Sequence, residues 1–106
     1  MPDTIKNLLK EVKVRLEEIY GSRLHGLYLY GSYARGDQEP ESDVDIDILL
    51  DRIDHYGLEI DRTGELISIL SLKFGLSVSR LFVSEHDWKY RDTPFLANAR
   101  EEAIPA

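Results

Sequence analysis

Three aspartates carry the first chemical signal: Asp43, Asp45 and Asp47 alternate with Val44, Ile46 and Ile48. In an extended chain, residues two apart share a face, with Cα atoms about 6.6 Å apart at roughly 3.3 Å per residue. Carboxylates at that spacing can converge on one or two cations. Held together away from water with no counter-ion, they are costly. A solvent-facing sheet edge explains the same alternation, so the carboxylates alone decide nothing.

Gly31-Ser32 precedes Asp43 with ten residues between them. A glycine lets the backbone approach a phosphate closely. The serine adds a hydroxyl, and a helical turn behind it offers free N–H groups that favour anions. Arg35, one turn on, can point toward the same anion. A phosphate cradle facing a cation site is the layout that phosphoryl and nucleotidyl transfer require, because developing charge must be neutralised and attack held in line.

Composition narrows the choice of metal and partner. The chain has no cysteine, which excludes disulfides and thiolate metal sites. His25, His55 and His86 lack zinc-ligand spacing, so any metal is a hard cation on oxygen ligands. A formal net charge of −7 argues against non-specific binding to nucleic acid or anionic membranes, and direct nucleic-acid binding is not expected. No apolar stretch approaches the roughly 20 residues of a membrane span. No secretory leader is visible at the N-terminus, so the expected location is cytoplasmic. The 106 residues suit one domain, 1–106, with one core.

The elements that must hold these residues follow from periodicity. Ile5, Leu8, Leu9, Val12, Leu16 and Ile19 recur at helical spacing over Asp3 to Tyr20, with Asp3 or Thr4 able to cap the start and Gly21 the end. Leu24 to Tyr30 reads as a buried strand that delivers its C-terminal end to Gly31-Ser32. Ser32 can cap a short turn through Arg35, closed by Gly36, and 37–42 is an exposed loop. Val44 to Leu50 reads as a second strand with Val44, Ile46, Ile48 and Leu50 on the face opposite the aspartates. A helix then runs to Phe74, with Leu66, Ile67, Leu70 and Phe74 inward, and Gly75 ends it. Leu76 to Val83 reads as a third strand, Ser84 to Asp87 opens a short helix, and Thr93-Pro94 starts a final one. The expected architecture is α/β: a small mixed β-sheet flanked by helices. Tyr28 and Tyr30 suit packing, Tyr33 could flank a nucleotide or pack, and Arg80 could bind phosphate or pair with an acid.

The run Gly31-Ser32-Tyr33-Ala34-Arg35-Gly36 followed by Ser42-Asp43-Val44-Asp45 resembles the signature of the DNA polymerase beta nucleotidyltransferase superfamily: Gly-Ser, ten residues, Asp-x-Asp. Ala-Arg-Gly after the serine and Ser-Asp before the second carboxylate resemble its minimal nucleotidyltransferase (MNT) branch. The resemblance implies a polymerase beta-like nucleotidyltransferase fold. It also implies nucleotide binding at Gly31, Ser32, Arg35 and Ser42, and Mg²⁺ held by Asp43 and Asp45. Many members add a third carboxylate on the strand after the long helix, as general base or metal ligand. Here that position falls near Ser79, which can do neither well. Asp47, on the same strand face as Asp43 and Asp45, is the candidate to replace it, with electrostatic support or a partly exposed strand position as the alternative.

By the same resemblance, the expected role is the antitoxin of a type VII-like HEPN/MNT toxin–antitoxin pair. Such a protein transfers AMP from ATP to a tyrosine of a HEPN-domain ribonuclease toxin and so disables it. Two other roles remain open: a degenerate, binding-only antitoxin, motivated by Ser79, and an antibiotic-type enzyme that modifies a small molecule.

Overall fold

The helical spacing near the N-terminus is realised as α1 (Asp3–Tyr20) in the computed structural model, which describes residues 1–106. Ile5, Leu8, Leu9, Val12 and Leu16 are buried along it. Ile19, expected in the same stripe, faces solvent, and Tyr20 takes the last packing position against Phe82. Neither Asp3 nor Thr4 caps the helix; Pro2 stands at the cap, and its carbonyl accepts from the N–H groups of Ile5 and Lys6.

A single helical turn follows at Gly21–Arg23, then β1 (Leu24–Tyr30). The turn α2 (Ser32–Arg35) separates β1 from the loop that leads into β2 (Val44–Leu50). Helix α3 (Tyr56–Phe74) crosses to β3 (Val78–Ser84), and α4 (Glu85–Tyr90) and α5 (Pro94–Glu102) complete the helices. The last two open as their sequences require, with Ser84 accepting from the Asp87 N–H and Thr93 from the Leu96 N–H. Strand β3 begins two residues later than expected. Gly75 lies in the left-handed region, and the Leu76 N–H still bonds back to the Ser71 carbonyl, so Leu76 belongs to the helix cap. A two-residue strand, β4 (Ile104–Pro105), was not foreseen; it is too short to show an alternation.

The four strands form a mixed sheet in the order β3-β2-β1-β4, with β2 and β3 parallel and the other pairs antiparallel. One face carries Leu27, Leu29, Val44, Ile46, Ile48, Leu50 and Phe82 against α1 and the inward residues Leu66, Ile67 and Leu70 of α3. Burying each such side chain is worth about 1.5–3 kcal/mol, which makes this layer the main source of stability. Phe74 is only partly buried at its margin.

The opposite face is covered more thinly. Leu49 and Val83 pack under Leu96 of α5, while Tyr28 stacks on Trp88 of α4 with ring centroids 4.7 Å apart. Strand register puts Tyr30, Asp45 and Ser79 in one row across this face, and Tyr28, Asp47 and Leu81 in the next. The expected alternation of β2 is therefore present: its even-numbered residues make the core and its aspartates look out on the thin layer.

A polar network ties the helical layer together. The Tyr20 hydroxyl donates to Glu59 Oε1 at 2.9 Å, and Arg23 approaches Glu59 Oε2 at 3.5 Å. Burial and the neighbouring Glu59 carboxylate raise the Tyr20 pKa. Arg80 donates to Thr63 Oγ1 at 2.7 Å and to the Ile60 carbonyl at 2.8 Å. It thus anchors β3 to α3, and its hydrogen bonds go to neutral groups of α3.

Candidate active site

The chain reverses at the end of β1 through Gly31, whose φ of 77° and ψ of −152° fall in a region that side chains rarely enter. Gly31 itself stands at the cap of α2, and its carbonyl accepts from the N–H groups of Ala34 and Arg35. Ser32 is therefore the first helical residue and not the cap, as its sequence position suggested; its side chain makes no capping bond. The N–H groups ahead of the first helical bond, those of Ser32 and Tyr33, open outward from such a turn.

A second reason for glycine at position 31 is the carboxylate across from it. A Cβ there would lie 2.5 Å from Asp45 Oδ2, closer than any real contact allows. The turn and the carboxylate are thus packed directly on one another. Tyr30, the residue before the turn, pairs with Asp45 in the β1–β2 ladder, so the strand register itself fixes this approach.

The three aspartates descend from solvent into the protein. Asp43 is exposed, Asp45 is half-buried, and Asp47 is only 2 % exposed. Burial, then the charge of Asp43, raises the Asp45 pKa, against an opposing pull from Arg35. Burial, then the charge of Asp45, pushes the Asp47 carboxyl up to about 6. Its Oδ2 is buried with no hydrogen-bond partner. A buried polar atom without a partner is rare in native proteins and marks a catalytic role, a water or an ion.

Asp45 and Asp47 line a cleft of about 240 Å³ together with Tyr30, Ile46, Ser79, Arg80, Leu81 and Phe95. Tyr30 and Phe95 meet edge to face at its margin, with centroids 5.3 Å apart. Ser79 is exposed and stands directly beside Asp45 in the parallel ladder. A larger groove of about 500 Å³ shares Leu81 and Phe95 with the cleft and continues along β3 toward Tyr56 and Asp87.

The other expected ligand-binding residues sit nearby in different states. Arg35 is turned toward Asp37 at 3.2 Å and Glu102 at 3.5 Å, both solvent-exposed pairs that a stronger anion can displace. The Ser42 hydroxyl accepts from the Glu39 N–H at 2.9 Å and so closes the loop before Asp43. Tyr33 packs against the core at half burial. Sequence reasoning did not single out Phe95 or Leu81 as cleft residues. Both read as ordinary packing residues, and only the docking of α5 over β2 and β3 brings Phe95 to the carboxylates.

The donor set fits a hard divalent cation. It is all oxygen, its carboxylates repel one another, and one buried carboxylate oxygen is unsatisfied. No three Asp, Glu or His side chains gather closely enough to hold a metal alone. Mg²⁺ accepts such a partial set, because it is commonly bound through one or two carboxylates with substrate phosphates and waters completing the shell.

Residues 3–91 match the family described as Polymerase beta, Nucleotidyltransferase. Among curated proteins, the chain is 36% identical over 77 residues to "Putative protein adenylyltransferase MJ0604" of Methanocaldococcus jannaschii, covering 73% of this chain and 71% of that one. It is 36% identical over 75 residues to "Putative protein adenylyltransferase MJ0141" of the same organism, covering 71% and 75%. Similar solved structures include a toxin–antitoxin with AMP-PNP, at a TM-score of 0.58 and 22% identity over 87% of this chain and 67% of that one. A nucleotidyltransferase structure from Sulfolobus solfataricus, named there as putative, aligns at a TM-score of 0.58 and 18% identity over 99% and 86%. At these identities the structural likeness establishes a shared fold.

Proposed function

The chain belongs to the polymerase beta nucleotidyltransferase family, and from that premise we propose that it transfers AMP from ATP to a hydroxyl of a partner protein. The observation that carries this reading is the close packing of Gly31 on Asp45, which sets the Gly31-Ser32 turn directly against a carboxylate that lines the cleft. The names of the archaeal relatives support protein as the acceptor class. The toxin–antitoxin neighbours support a toxin as the partner, and the MNT resemblance narrows it to a HEPN-domain ribonuclease modified on tyrosine.

In this reading the N–H groups and hydroxyl of the Gly31-Ser32 turn hold the β- and γ-phosphates, with Arg35 released from Asp37 and Glu102 to join them. Asp43 and Asp45 hold Mg²⁺, and Ser42 fixes the loop that presents Asp43. A cation bound there would supply neutralisation of the phosphate charge, including that of the leaving pyrophosphate. The acceptor oxygen bonds to the α-phosphorus, the bond from that phosphorus to the β-phosphate oxygen breaks, and pyrophosphate departs. The hydroxyl proton passes to Asp47, whose carboxyl, pushed up to about 6 by burial, is still ionised at neutral pH and is a stronger base than an ordinary carboxylate.

The test is intact-mass spectrometry of a HEPN-domain ribonuclease toxin that binds this chain, after incubation with the chain, ATP and Mg²⁺. The reading expects one or more adenylyl groups on that protein, absent with Asp43→Asn/Asp45→Asn. Ser79 beside Asp45, where a third carboxylate is absent, favours a second reading in which the chain only binds its toxin. A complex that forms without any mass shift would select it.

A further inference from the structure

Resting on the transfer reading above, we propose that Ser79 is itself an acceptor, and that the chain adenylylates its own Ser79 hydroxyl. In-line transfer needs the nucleophile on the side of the α-phosphorus away from the leaving pyrophosphate. The row Tyr30, Asp45, Ser79 runs across three neighbouring strands of one sheet face. The phosphate-binding turn continues directly from Tyr30, at one end of that row. Ser79 stands at the other end, with the cation-binding Asp45 between them.

Three further observations make the serine a reactive position and not a bystander. It is exposed, it lines the same cleft as Asp45 and Asp47, and it makes no side-chain hydrogen bond that would have to be broken. Proximity of this kind converts a bimolecular step into a unimolecular one, so an ordinary hydroxyl can compete without special activation. The step balances as the intermolecular one does. Ser79 Oγ bonds to the α-phosphorus, the bond to the β-phosphate oxygen breaks, pyrophosphate leaves, and the hydroxyl proton passes to solvent, to which Ser79 is exposed. The adenylylated serine would fill the acceptor side of the cleft and close it to a partner, so that self-modification limits transfer in trans.

The experiment uses the purified chain alone with ATP and Mg²⁺, read by intact mass and then by peptide mapping. The expected result is one adenylyl group on the peptide containing Ser79, lost in Ser79→Ala while the melting curve of that variant matches the parent. A label on Tyr30, Tyr33 or another residue, or one that persists in Ser79→Ala, overturns the proposal. So does an unmodified chain that binds Mg–ATP, and in that case the transfer reading stands. If the chain binds no Mg–ATP at all, both fall together, and nucleotide titration identifies that case.

Discussion

Gly31 and Asp45 occupy one another's space: the Cβ that glycine lacks would lie 2.5 Å from Asp45 Oδ2. Gly31→Ala therefore combines two penalties. The backbone at φ 77° costs a side chain about 1–3 kcal/mol, and the methyl group displaces the carboxylate. The variant is expected to melt at lower temperature and to lose Mg²⁺-dependent ATP binding. Retained affinity in a folded variant, measured by calorimetric titration, would show that the turn and the carboxylate act independently.

Asp47 gives the protein a pH dependence of definite sign. Its carboxyl is pushed up to about 6, above the ordinary 3.8, so between those values the folded chain keeps a proton that the unfolded chain has lost. The contribution of this group therefore falls as pH rises through that window and levels off above it. The total is about 3 kcal/mol, at roughly 1.4 kcal/mol per pH unit. Asp47→Asn should raise stability at pH 7.5 by up to that amount and leave it unchanged near pH 4, as denaturant melts at the two values will report. Equal effects at both would mean that the carboxylate is not held uncharged by burial. The same variant should slow transfer by removing the proton acceptor, separating stability from function.

Glu59 is buried on the far side of the sheet from the cleft, where it accepts from Tyr20 and faces Arg23 and Arg62. Glu59→Ala leaves the Tyr20 hydroxyl without its partner and should cost about 2 kcal/mol, near the usual loss for a buried hydrogen-bonded group. Nucleotide affinity should not change, since the side-chain partners of Glu59, namely Tyr20, Arg23 and Arg62, do not line the cleft. Thermal melts and ATP titration on one preparation check both halves.

Much of this architecture is readable from residue order because local and global preferences agree. The periodicity of α1, the alternation of β2 and the glycines at 31, 36 and 75 each point to the element that forms. The resemblance pointed to the neighbourhood of Ser79 as the third-carboxylate position, and the strand register sets Ser79 beside Asp45. What could not be read is burial within the aspartate series. Asp43, Asp45 and Asp47 are chemically alike in sequence, and only the packing of α4 and α5 over the sheet makes one exposed and another buried. Phe95 escaped for the same reason, being distant in sequence from every residue it helps enclose. The partners of Arg80 could not be read because Thr63 and the Ile60 carbonyl are neutral and carry no charge pattern that sequence could reveal.

The most direct measurement is calorimetric titration of the chain with a non-hydrolysable ATP analogue, with and without Mg²⁺. The account predicts binding that requires the cation and weakens on the order of a hundredfold in Asp43→Asn/Asp45→Asn, at roughly 1.4 kcal/mol per tenfold. Affinity that is indifferent to Mg²⁺, or that survives the double substitution, would contradict a nucleotide site built from Gly31-Ser32 and the two carboxylates.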